Sequence, residues 1–463
     1  MPEQFLHGIE VVEIDDGIRS IRTVKTSVIG LVGTAPKGPV NTPTLIAGSR
    51  REAVKQFGKG IGTIPDALEA IFDQAGAMVV VINVLDPAVH KVAVAPADYV
   101  FDATLDTLTL PDAYNLNVVV KSQDLATTYV EGTDYTIDTD TGVVTRLATG
   151  GIAAGATVNI GYDKPDDTAV VLADMVGGVD AATGAYTGVH GLEASNTALG
   201  LTPRLLIAPG WSHQQALVSE MQGIADRLKA VIIADGPNTT DADAIAYRNL
   251  FGSARVYIVD PHVQVFDPNI NDYVSQPMSP RVAGLIARSD NDRGFWWSPS
   301  NLEINGISGV DRPIDFAFGD ANTRANYLNE NEVATVINQE GYRLWGNRNC
   351  SSDPKWAFLS VRRTADMINE SLMLVHLWAV DRNITRTYIE DVVEGVNAYL
   401  RHLQEVGAIL GGRCYADPDL NTPDQIADGK VYFDFEFTPP YPAEHITFRS
   451  HLVGDYLTEV VAS

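Results

Sequence analysis

Between residues 205 and 290 the chain alternates short apolar runs with amphipathic stretches, and that rhythm leaves few folds open. Leu205–Ala208, Val231–Ala234 and Val256–Val259 read as strands, and 212–229, 241–251 and 279–290 read as helices. Alternation at this spacing implies right-handed crossovers and a mainly parallel sheet. Val28–Gly33 and Met78–Val84 are near-continuous apolar runs, as strands covered on both faces should be. Helices are predicted over 49–57 and 65–75, the second with Pro65 in its first turn.

Residues 88–170 break the rhythm. They hold 12 Asp+Glu against 4 Lys+Arg, a net of −8, and short alternating runs such as Leu116–Val120, Tyr135–Ile137 and Thr157–Tyr162. Thr139-Asp140-Thr141-Gly142 is a hairpin turn, so an all-β module is expected here, inserted between α/β elements. The ordered acidic loop of a calcium site is missing, which favours solvated turns.

The C-terminal third has another texture. Residues 364–380 are apolar most of the way round, which predicts a helix buried on several sides. A second helix is predicted over 388–406, with Thr387 and Glu390 as a capping box and Gly407 as its stop. Val431–Phe437 alternates as a strand with one aromatic face, Pro439-Pro440 ends it, and Ile446–Arg449 opens a last extended segment. Residues 418–428 and the stretch from Phe295 to about 332 read as loops. At the other end, His7–Ile14 is a short strand before the Asp15-Asp16-Gly17 turn. Such a terminal strand either completes its own sheet or is lent to a neighbour.

Candidate chemistry is sparse. Asp235 and Asp260 follow strand ends, where open α/β sheets hold ligands, but both also sit in ordinary turns. Gly58–Thr63 follows no strand and lacks the Lys-Ser/Thr of a phosphate loop. Gly210-Trp211-Ser212-His213 lacks the closing glycine of a nucleophile elbow, and Ser212 reads as a helix N-cap. Cys350 and Cys414 form no Cys-x-x-Cys pair and read as reduced, buried thiols. The net charge of −26 argues against nucleic acid and anionic membranes as partners. With no leader and no bilayer-length apolar run, a soluble protein of a cytoplasm is expected.

Glu340-Gly341-Tyr342-Arg343-Leu344-Trp345-Gly346-Asn347-Arg348 resembles the core signature of contractile phage tail sheath proteins. His7–Val11, Val28–Ala35, Leu377–Asp381, the Ile389, Val392, Val393, Val396, Asn397 pattern and Gly429–Asp434 followed by Thr438-Pro439 are similar to further blocks of that family, in the same order. The resemblance implies a structural subunit without cofactor, metal or catalytic residue. Such subunits would stack as hexameric rings around a tail tube, and contract to drive it through a host envelope. Its partners would be itself, the tube protein, and baseplate and terminator proteins. Its place would be a virion tail assembled in the bacterial cytoplasm, or a phage-like bacteriocin.

The fold class expected is therefore α/β (α+β overall) and multidomain. The expected units are an N-terminal arm (1–25), an α/β core in two parts (26–87 and 171–329), the acidic β insert facing outward (88–170), an inner domain facing the tube (330–445) and a C-terminal arm (446–463). By the resemblance, Gly8, Ile9, Glu10, Val11 and Val12, with Ile446 and Phe448, belong to arms donated between subunits. Val431, Phe433 and Phe435 belong to the strand that receives them. Arg386, Glu390, Glu394 and Arg401 are the candidate tube contacts. The rival is a soluble α/β enzyme acting on a sugar or phosphate, with Asp235 or Asp260 in its site and Trp296 and Trp297 stacking the substrate.

Overall fold

The computed structural model describes residues 25–268 and 270–454. Its centre is an eight-stranded sheet of β1 (Ile29–Gly33), β2 (Thr44–Ala47), β3 (Met78–Asn83), β4 (Leu205–Ile207), β5 (Val231–Asp235), β6 (Val256–Val259), β7 (Val333–Asn338) and β8 (Tyr342–Trp345). The spatial order is β8-β7-β6-β5-β4-β1-β3-β2. All pairs are parallel except β2/β3 and β7/β8 at the two edges.

Period-two alternation sends side chains to two cores. On one face Ile29, Leu31, Val81, Leu205, Ile233 and Val259 meet α2 (Ile64–Gln74) and α5 (Ser279–Arg293). On the other, Val32, Leu206, Ile232 and Ile258 meet α3 (Gln215–Leu228), α4 (Asp241–Arg248) and α6 (Arg324–Glu330). Burial on both faces is why these strands read as unbroken apolar runs. Helix α1 (Arg50–Phe57) is capped by Ser49, whose Oγ accepts from the Glu52 amide at 3.2 Å.

The insert is β throughout. A three-stranded sheet pairs Thr157–Pro165 with Lys91–Val100 and Leu116–Ser122, and a second pairs Val143–Arg146 with Thr107–Thr109 and Tyr135–Asp138. The two close over their own core of Phe101, Val120, Tyr135, Val144, Ile160 and Tyr162. Tyr114 Oη, accepting from the Lys59 amide at 2.8 Å, and the Lys37–Asp140 ion pair rest the insert on the core.

Several expectations are corrected. Residues 333–345 belong to the central sheet as β7 and β8, which puts most of the 340–348 signature there, so the core extends to about residue 350 rather than stopping at 329. Gly346 explains part of that signature: at φ +132° a Cβ there would stand 2.8 Å from the Ala334 Cα. Helix α6 forms within the predicted 295–332 loop, its end capped by Thr323 Oγ1. Ser212 caps nothing, because α3 begins only at Gln215 and the hydroxyl is drawn to Asp235.

Helix α7 runs over Leu359–Val375, then tightens to a 3₁₀ turn over His376–Ala379. Its first half is buried, but Met373, Leu374 and Leu377 are 64%, 58% and 77% exposed, so burial on several sides fails for the second half. Helix α8 (Arg386–Glu405) is capped by Thr385, whose Oγ1 accepts from the Tyr388 amide, not by Thr387 with Glu390. Glu390 instead pairs with Arg386 one turn back. Strand β9 (Gly411–Ala416), unforeseen in the sequence, pairs antiparallel with β10 (Phe433–Thr438), and a short helix (Pro423–Ala427) interrupts the predicted loop between them.

Candidate functional site: an open sheet beside an uncovered groove

The carboxylates at the sheet's C-terminal edge are committed to structure. Asp235, 2% exposed, accepts from the Ser279 amide at 2.7 Å, the Ser279 hydroxyl and Ser212 Oγ at 3.0 Å, tying α5 to β5. Asp260 is buried, accepts from the Asn238 amide at 2.9 Å and pairs with Arg312; burial still holds its carboxyl above the usual range. Between β4 and β1 the strand order reverses, the crevice where such sheets bind ligands. Gly62 and Thr63 pack into it, leaving a cavity of about 100 Å³ bounded by Pro209, Gln276 and Arg281. Substrate pockets are typically ~300–1,000 Å³.

Trp296 packs edge-on to Phe295 at 5.1 Å against the C-terminal core, and Trp297 lies under the Arg293 guanidinium. The pair marks a seam between units rather than a stacking platform. Burial pushes the Cys350 thiol up to about 12 and Cys414 to about 11, so both stay protonated and unreactive at neutral pH.

The C-terminal unit is unfinished by comparison. Phe433, Phe435 and Phe437 project from one face of β10 onto a core of Met367, Ile368, Val396, Tyr399 and Leu400. Asn397 of α8 donates to the Cys414 carbonyl at 3.0 Å and accepts from its amide at 2.7 Å. The backbone groups of Cys414 therefore point away from β10, and the outer edge of β9 is closed there by a side-chain amide. Phe435 lies opposite Cys414, so its N–H and C=O point outward on the other side. Among the described residues the sheet has two strands, which leaves that β10 edge without a strand beyond it. Beside it lies a groove of about 690 Å³ lined by Met373, His376, Tyr388, Val392, Val431 and Phe433.

Of the remaining sequence candidates, Gly8, Ile9, Glu10, Val11 and Val12 lie outside the described residues. Ile446 and Phe448 stand 66% and 92% exposed in a segment with no regular structure. Arg386 pairs with Glu390, and Arg401 with Glu394, so the four form two neutral couples on the exposed face of α8.

A charged seam that the sequence did not disclose joins this unit to the core. Along one face of α7, Asp366 receives Arg255 at 2.7 and 3.1 Å and Arg362 at 2.8 and 3.2 Å. Arg363 pairs with buried Asp290 at 2.6 Å, and Glu370 with Arg204 at 3.0 Å. Arg204 and Arg255 immediately precede β4 and β6, so the seam lies along the amino ends of the parallel strands.

Family models place the chain. The phage tail sheath protein central domain matches residues 184–350, the phage tail sheath C-terminal domain matches 351–452, and the tail sheath protein Gp18 domain III N-terminal region matches 26–84. The tail sheath protein of Burkholderia phage BcepMu is 40% identical over 99% of this chain and 98% of its own length. That of Escherichia phage P2 is 28% identical over 99% and 98%. The fold is shared with the contracted helical sheath of the anti-feeding prophage, with a TM-score of 0.60 at 17% identity over 97% of this chain and 99% of that one. The chain is a structural protein and not an enzyme: it belongs to the contractile phage tail sheath family.

Proposed function

We propose that the protein polymerises as stacked hexameric rings around a tail tube in a metastable extended state, and contracts to drive the tube through the host envelope. The observation that carries this is the open β10 edge beside an uncovered apolar groove, which a strand from another copy would complete. Residues 7–14 of one neighbour and 446–460 of another supply such strands. Main-chain bonds form at Phe433, Phe435 and Phe437, while Ile446 and Phe448 bring apolar side chains to the groove. Strand pairing on linkers survives rigid-body movement, so copies stay joined while rings rotate and slide.

In this reading the C-terminal unit faces the tube through α8 (Arg386, Glu390, Glu394 and Arg401), the acidic insert faces outward, and baseplate and terminator proteins bind the ends of the polymer. The particle is a virion tail or a phage-like bacteriocin, assembled in the host cytoplasm. Deleting residues 1–15 tests it by electron microscopy. A folded subunit that makes no tubes is expected; normal tubes from the truncated chain would sink strand donation from that arm.

A further inference from the structure

We propose that Arg348 and Glu444 form a clamp from which the C-terminal arm departs, fixing where and in which direction the donated strand begins. The inference rests on the strand-donation reading but uses a different set of contacts. Arg348 Nε lies 2.8 and 3.1 Å from the two Glu444 oxygens and Nη2 lies 2.6 Å from Oε2, a two-pronged geometry that specifies orientation as well as attraction. The guanidinium sits 5.0 Å over the Phe358 ring, and Phe358 meets Tyr441 edge-on at 6.0 Å.

The fixed jaw is well rooted. Arg348 follows β8 by three residues, and the Asn347 carbonyl accepts from the Leu359 amide at the start of α7. The arm's anchor is thus attached at the end of the central sheet, not to the sheet that β10 completes. From the end of β10 the chain reaches the clamp through Pro439, Pro440 and Pro442, a stiff spacer. Beyond it, Ile446, Phe448 and Leu452 stand exposed.

With the clamp closed, the chain is free only after Glu444. With it open and Tyr441 still seated, residues 442–444 are released, adding roughly 10 Å of reach and freedom to swing. The opposite arm leaves from a similar device: Arg363, paired with Asp290, also donates to the Thr26 carbonyl at 3.2 Å. Arg348 and Glu444 side chains are 37% and 39% exposed, so added salt should loosen this clamp and leave the buried Arg363 pair.

Charge exchange in the full chain tests the clamp. Arg348→Glu, Glu444→Arg and the double exchange are compared by the critical concentration for tube formation. A nitroxide at His445→Cys reads the start of the arm in dilute, unassembled subunit; the native thiols are buried. Each single exchange should raise the critical concentration about threefold and sharpen the nitroxide spectrum, and the double exchange should reverse both. Single variants that assemble and report like the parent chain, or a double variant no better than either, overturn the clamp. Removing residues 445–463 separates the two ideas: tubes that persist refute strand donation from this arm, while the nitroxide on the unassembled full chain still decides the clamp.

Discussion

Asp366→Asn is the sharpest probe of how the two halves of the subunit are joined. Asp366 is fully buried and accepts four N–H groups from Arg255 and Arg362. Asparagine keeps the shape, removes the charge and turns an NH₂ toward guanidinium donors. Breaking a buried ion pair from one side costs about 3–5 kcal/mol. Arg255 retains Asp226 at 2.6 Å, a partner whose side chain is 71% exposed, which places the expected loss near 3 kcal/mol. At ~2.1 cal/mol/K of unfolding entropy per residue, a chain of 463 residues melting as one unit loses only about 3 °C. A C-terminal unit of roughly 100 residues melting alone would lose about 15 °C.

Because α7 carries the seam and also belongs to the C-terminal core, one transition with the small shift is expected. The assay is calorimetry with urea titration of dilute, unassembled subunit. A loss below about 1 kcal/mol would refute the ionic seam, and a separate first transition falling by more than about 10 °C would refute the coupling.

Two further outcomes follow from the same geometry. Asp241 accepts from Arg312 and Arg324, and chiefly the Arg324 hydrogen bonds hold its carboxyl below the usual range. A depressed folded value gives stability that is present above the unfolded carboxyl value and is lost as pH falls through the folded one. Asp241→Asn should therefore cost about 2 kcal/mol at pH 7 and converge with the parent protein below the ordinary carboxylate range, read by urea midpoints across pH. Leu377→Ser at a 77% exposed site should leave the urea midpoint within about 0.5 kcal/mol, yet reduce tube yield, if in the proposed assembly its apolar cover comes from another copy.

What could be read from the sequence was what the chain buries by itself. β4, β5 and β6 were legible because both their faces are covered from within, so apolar run and strand coincide. β9 was not: Gly411-Gly412-Arg413 carries no strand preference, and its conformation is imposed by β10 and by Asn397 of α8. Thr385 and Thr387 both offer a hydroxyl, and only the backbone at 385, extended at φ −124°, decides which one caps. Met373, Leu374 and Leu377 were read as core because periodicity reports that a face will be covered, not that the same molecule covers it. The α7 seam was hidden for a different reason: Arg204, Arg255, Asp366 and Glu370 are charges distant in sequence, and no local pattern announces their pairing.

The insert's attachment carries one more implication. Its first and last strands leave and re-enter the core side by side, with Lys91 opposite Pro165 on the first rung of their ladder. Chain ends that lie together are where insertions are tolerated, because whatever hangs between them does not pry the host apart. The core and its insert can thus change on separate evolutionary clocks. A surface turn of the insert is also a natural place to graft a foreign domain, and the outward orientation proposed above would display it once per subunit of the assembly.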